Sequence, residues 1–115
     1  MKVQDLIKPL NLIVWSGRDN LNRIVTGGYC SDLLSDVMAN AYKGSVWVTV
    51  QNHQNIVAVA SLLDLSAIIL ANKITPDKET SLKAEQEGIP ILCSSLPTFE
   101  LVGRMYRYGI YGIKS

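Results

Sequence analysis

One histidine, two cysteines and a few short polar runs carry whatever chemistry this sequence holds. His53 stands in Gln51-Asn52-His53-Gln54-Asn55, where an imidazole among amides could shuttle a proton or contact a ligand. A metal needs more ligands, and no second histidine or cysteine stands near His53, so no metal site is expected. Cys30 and Cys93 form no CxxC pair, which argues against zinc and against a disulfide framework. Cys93 closes an apolar run and reads as a buried, inert thiol. Asn72 and Lys73 follow another apolar run; Lys73 could neutralise a phosphate or carboxylate, or stand solvated. Ser94, Ser95 and Thr98 could hydrogen-bond a ligand or cap a helix, and neither serine sits in a GxSxG elbow.

The triplet Thr26-Gly27-Gly28 could turn backbone N–H groups toward an anion. It matches neither a phosphate-binding GxxxxGKS/T nor GxGxxG, and Asp32 close behind would repel that anion. The plainer alternative is a tight turn that needs positive φ. Asp77, Glu79, Glu85 and Glu87 fall along one solvated helix rather than as facing carboxylates. No catalytic set, and no cofactor, is expected.

Elements must position these groups, and hydrophobic spacing predicts them. Val3, Leu6, Ile7 and Leu10 recur at helical spacing and end near Pro9. Leu12–Trp15 is a compact apolar strand, Ser16-Gly17-Arg18-Asp19-Asn20 a turn, and Ile24-Val25 a brief second strand stopped by Thr26-Gly27-Gly28. A helix follows with Ser31 as its cap and Asp32 in its first turn; Leu33, Leu34, Val37, Met38 and Ala41 form its apolar face. Three strand–helix units come next. Ser45–Val50 leads to Asn55–Leu63, and Ala67–Leu70 leads to a helix opened by Thr75-Pro76-Asp77 and closed by Gly88. Ile89–Cys93 leads to Pro97–Tyr108, with Phe99, Val102 and Met105 turned inward.

Strands apolar on both faces and joined by helices imply an α/β domain. The expectation is a single three-layer-like domain over residues 1–115, with a mostly parallel central sheet flanked by helices. Ligands of such sheets bind beyond the carboxyl ends of the strands. The loops at Thr26–Tyr29, Gln51–Asn55, Ala71–Lys73 and Ser94–Thr98 should therefore meet at one edge. The candidate ligand-binding residues are Thr26, Gly27, Gly28, Asn52, His53, Asn55, Asn72, Lys73, Ser94, Ser95 and Thr98.

Composition narrows the classes. The chain of 115 residues has 48% hydrophobic and 18% charged residues, enough for one core without disulfide or metal support. Net charge is +1 with no basic block, which argues against a nucleic-acid binder. The tail Arg104-Met105-Tyr106-Arg107-Tyr108-Gly109-Ile110-Tyr111 mixes basic and aromatic groups; it reads as a helix end or an oligomer contact, with base stacking as the alternative. Met1–Leu10 lacks the long apolar run of a signal peptide, and no stretch is long enough to span a bilayer. A cytoplasmic protein without membrane partners is expected.

Three runs look familiar together: Thr26-Gly27-Gly28-Tyr29-Cys30-Ser31-Asp32-Leu33-Leu34-Ser35-Asp36-Val37-Met38, Gln51-Asn52-His53-Gln54-Asn55-Ile56-Val57-Ala58-Val59-Ala60, and Glu87-Gly88-Ile89-Pro90-Ile91-Leu92. They resemble the DRTGG domain family, in free-standing form, over nearly the whole chain. Relatives accompany CBS domains in regulated pyrophosphatases and occur in some phosphotransacetylases; the N-terminal domain of HPr kinase/phosphorylase is similar in fold. The resemblance implies an accessory α/β module that self-associates and regulates, with catalysis elsewhere. Stand-alone copies near iron-only hydrogenase genes imply a redox-linked partner. In typical members an Asp-Arg pair follows one central strand and Thr-Gly-Gly the next. The matching places here hold Asn52-His53 and Ala71-Asn72-Lys73, so the Gly-Gly turn is lost, and if the family motif binds a shared ligand this chain could bind a different one or none.

Three functions remain open. The first is a non-catalytic regulatory or ligand-sensing module, homodimeric, with a small polar, nucleotide-like ligand or a protein partner at the loop edge. The second is a structural adaptor, with a redox or hydrogenase complex as one setting, acting through the last helix and tail. The third is a small enzyme using His53 with Asn55, Lys73 or Ser94.

Overall fold

The structure is a computed structural model and describes residues 1–113. A short helix α1 (Gln4–Ile7) precedes strand β1 (Ile13–Ser16) and a 3-10 turn at Arg18–Asn20. Then come β2 (Gly27–Cys30), α2 (Leu34–Asn40), β3 (Ser45–Thr49), α3 (Asn55–Leu63), β4 (Ala67–Leu70), α4 (Lys78–Glu87), β5 (Ile91–Cys93) and α5 (Thr98–Arg107). One five-stranded sheet has the order β1-β5-β4-β3-β2. Strands β2 to β5 are mutually parallel, and β1 pairs antiparallel with β5. The expected mostly parallel α/β sheet is therefore present.

The order dictates the layers. Parallel neighbours that step in one direction through right-handed crossovers must place every crossover helix on one face. Helices α2, α3 and α4 accordingly share a core with Trp47, Ile68, Leu70 and Ile91. The segment after β5 has no further parallel strand to reach, and it crosses to the other face. There Leu101 and Met105 of α5 pack with Val3 and Leu6 against Val46, Val48, Ile69 and Leu92. Strands β3 and β4 are buried along their whole length, as a sheet covered on both faces requires. Trp47 is fully buried and its indole N–H donates to the Ser31 carbonyl, 2.8 Å away.

Four expectations change. The second strand is Gly27–Cys30, not Ile24-Val25. Ile24 forms only an isolated antiparallel bridge with Lys2, and the Val25 amide donates to the Met1 carbonyl. The glycines thus lie within a strand and take no positive φ. Their reason is space: a Cβ on Gly27 would collide with the Tyr42 hydroxyl and stand 2.8 Å from the Tyr111 carbonyl. Helix α2 begins at Leu34 rather than at Ser31; the Ser31 hydroxyl accepts the Leu33 amide in a short turn before it. Of the apolar face expected there, Val37 is buried while Leu33 and Met38 stay exposed. Phe99 was expected inward and is 92% exposed, because Leu101 and Met105 occupy the inner face of α5.

The edge strand β1 shows how an open sheet edge is managed. Ile13 and Trp15 remain partly exposed, a hazard for edge-to-edge pairing. The register slips between Val14 and Ser16, and the Arg18 guanidinium donates to the Val14 carbonyl at 3.0 Å. A bulge and a charged side chain both blunt an edge.

Candidate functional site

The carboxyl ends of β2 to β5 gather four loops, but not the four expected. The loop after β2 supplies Ser31 and Asp32. Thr26, Gly27 and Gly28 lie at the amino end of the sheet, where Gly27 faces Ser45, the first residue of β3. The Thr26 hydroxyl donates to the Lys43 carbonyl at 2.7 Å. Beside it, Arg23 and Lys43 pair with Asp64. The Arg23 hydrogen bond holds the Asp64 carboxyl below the usual range against the opposing effect of burial. These are packing roles, remote from the carboxyl edge.

At the β2–β3 side of that edge the polar groups are spent on one another. One Asp32 carboxylate oxygen accepts the Thr49 hydroxyl at 2.8 Å and the Val50 amide at 2.9 Å. The Gln51 side-chain amide donates to the Asp32 carbonyl. The Asn52 side chain donates to the Thr75 carbonyl, and its own carbonyl accepts the Thr80 hydroxyl at 2.7 Å and the Asp77 amide at 3.2 Å. Asn52 therefore ties the start of α3 to the start of α4. His53 Nδ1 stands 3.1 Å from the Asp77 carboxylate, in an exposed pair. Asn55 opens α3 beside it, exposed, and a shallow depression of about 330 Å3 is lined by His53, Asn55, Asp77 and Thr80. No hydrogen bond links His53 to Lys73 or Ser94 among the described residues.

The β4–β5 side is different. The connection after β4 runs to α4 on one face, and that after β5 runs to α5 on the other. Such a divergence is where open α/β sheets leave a crevice. The two loops are bridged by their backbones: the Asn72 amide donates to the Leu96 carbonyl at 2.7 Å, and the Lys73 amide to the Ser94 carbonyl at 3.0 Å. Asn72 and Lys73 both hold left-handed backbone, φ 61° and 62°. Ser94 is buried and its hydroxyl accepts the Leu96 amide. The side chains of Asn72, Lys73, Ser95 and Thr98 make no hydrogen bond or ion pair among the described residues. Asn72, Lys73 and Ser95 are exposed. Helix α5 starts beside them behind Pro97, with no side chain capping its first amides. A helix start without a cap leaves N–H donors and positive potential for an acceptor.

The remaining chemistry-bearing groups are quiet. Cys93 is buried, and burial pushes its thiol up to about 11. Cys30 is exposed at the β2 edge, its thiol raised by burial and by Asp32. No group of three potential metal ligands occurs among the described residues. Among the described residues no helix is long and apolar enough to cross a membrane. Sequence reasoning missed Asp32, Asp77 and Thr80 as edge residues, because each reads locally as an ordinary helix-start residue.

No protein-family model and no curated protein matches the chain. Among solved structures, it is similar to the CBS and DRTGG domains of the regulatory region of Clostridium perfringens pyrophosphatase, a structure complexed with the activator diadenosine tetraphosphate. The TM-score is 0.71 at 13% identity, over 90% of this chain and 45% of that one, so this chain spans less than half the neighbour's length. The likeness shows a related α/β fold.

Proposed function

We propose that the protein is a non-catalytic, self-associating regulatory module that takes a small anionic, nucleotide-like ligand at the β4–β5 boundary. The observation that carries this reading is the pairing of an uncapped α5 start with the unpartnered Asn72, Lys73, Ser95 and Thr98. Lys73 supplies charge, and the helix amides and the Ser95 and Thr98 hydroxyls supply donors, where the connections after β4 and β5 part to opposite faces of the sheet. The β2–β3 side is unsuited to phosphate, since Asp32 and Asp77 stand there and their neighbours are already bonded. The neighbouring fold, from a regulatory region crystallised with a dinucleotide activator, supports the same class of ligand.

Thermal melting with ATP, AMP and diadenosine tetraphosphate tests it. At a hundredfold excess over Kd a single site adds ~2.7 kcal/mol, which raises the Tm of a domain this size by about 10 °C. Lys73→Glu should remove that shift and leave the unliganded Tm nearly unchanged. No shift with any of the three at millimolar concentration sinks the ligand reading.

A further inference from the structure

Helix α5 carries a face that its own chain does not explain. Leu101 and Met105 point inward and are buried. Phe99, Gly103, Tyr106 and Arg107 line the opposite side, with Gly103 four positions from both Phe99 and Arg107 and three from Tyr106. Phe99 is 92% exposed and Tyr106 about half. Gly103 sits in the helix interior, where glycine is the poorest residue apart from proline. Nothing within 4 Å would meet a Cβ there, and its φ is not positive. Neither turn geometry nor internal crowding asks for a glycine at that place. Close approach of another backbone from outside would give it a reason.

A trough of about 500 Å3 runs beside Gly103, lined by Pro9, Leu10, Glu100, Arg104, Arg107 and Tyr108. The apolar strip continues past it, since Tyr106 stacks edge-on with Tyr111 at 4.9 Å and Ile113 is exposed beyond.

We propose that this face docks a second copy of the chain, with the two α5 helices antiparallel and crossing at Gly103. This rests on the self-association part of the reading above and not on the ligand. The charge pattern selects the occupant and its direction. About a two-fold axis through Gly103, positions equally far on either side face each other. Phe99 then meets Arg107 of the second copy, a cation over an aromatic ring. Glu100 meets Tyr106 of the second copy, a carboxylate against a hydroxyl donor. Each contact occurs twice, as an isologous interface requires. A parallel arrangement would instead set Phe99 against Phe99 and Arg107 against Arg107. Glycine at the crossing lets the axes reach the low end of the ~8–10 Å range of packed helices. The exposed side chains of Phe99, Tyr106, Tyr111 and Ile113 present on the order of 500 Å2. That matches the apolar part of the ~800 Å2 each partner contributes to a standard interface.

The test is the dimer dissociation constant of the whole chain by analytical ultracentrifugation. Gly103→Leu should raise it by about a hundredfold or more, because the side chain blocks the crossing. Phe99→Arg places two arginines face to face and should raise it by at least about tenfold. The double variant Phe99→Arg with Arg107→Phe restores the pair in reverse and should return it to within about threefold of the parent. All three sites are exposed, so circular dichroism should show unchanged folds. A parent chain that stays monomeric at ~1 mM overturns both self-association and this surface. A dimer indifferent to Gly103→Leu, or not rescued by the double variant, overturns the surface alone.

Discussion

Asn72 and Lys73 hold consecutive left-handed conformations where a pair of glycines would have been free of strain. A non-glycine residue there costs ~1–2 kcal/mol, less for asparagine, whose short side chain tolerates it. The bridging bonds to Leu96 and Ser94 offset that cost and hold the turn. Two left-handed residues in succession thus form this turn without a glycine. Asp64, at the other end of the sheet, gives a prediction of its own. Its carboxyl is held low by Arg23, so it favours folding above the ordinary carboxylate pKa and loses that contribution as pH falls through its lowered value. Arg23→Ala should move the Asp64 midpoint upward in an NMR titration. The urea-unfolding free energy should then fall off less than in the parent as pH drops below the usual carboxylate range. An unmoved midpoint would remove Arg23 as the cause.

Among the elements, Gly17 shows how β1 is joined to the rest. Its φ is 75°, and a Cβ would stand 2.6 Å from Pro90 and 2.7 Å from the Ile89 carbonyl carbon, all backbone atoms that cannot step aside. Its amide donates to the Glu85 carboxylate at 2.7 Å, tying β1 to α4. Gly17→Ala should destabilise the chain by about 2–4 kcal/mol, read from the midpoint of urea unfolding. A loss under about 0.5 kcal/mol would show that the β1 connection is not so constrained. Elements with a helical period or an unbroken apolar run were legible: α3 and the buried β3 and β4 match their predicted spans closely, while α4 ends at Gly88 as expected but begins at Lys78 behind Asp77, two residues past the start of a helix capped by Thr75. The glycine strand β2 was not, because Gly27 and Gly28 have no side chains to show a period. Their meaning lies in Tyr42 and Tyr111, far away in sequence. Phe99 misled for the opposite reason. A large apolar residue at the start of an amphipathic helix reads as core, and only the position of Leu101 decides which flank faces the sheet. Of the candidate site, the three loops after β3, β4 and β5 were legible from the parallel pattern. Which of their polar groups are already spent was not, since that depends on contacts such as Thr80 with Asn52.

At the scale of the molecule, the sheet has two kinds of neighbour. From β2 to β5 each strand lies beside the next one in sequence, joined by one helix. Strand β1 instead pairs with β5, from the opposite end of the chain, Ile13 facing Cys93. The contacts within β2–β5 close short loops, whereas those of β1 wait until the whole chain has been gathered. The blunted edge strand should therefore also be the last to arrive in folding. Val14→Ala, which trims a half-buried side chain facing the α1–α5 core, should speed unfolding and leave the refolding rate almost unchanged. Val46→Ala in β3 should slow refolding. Stopped-flow chevrons for the two variants check this, and a Val14 variant that slows refolding as much as the Val46 variant would refute the order. Such a chain would hold a formed four-strand kernel while its amino-terminal strand opens and closes, so hydrogen exchange at Ile13–Ser16 should run ahead of global unfolding.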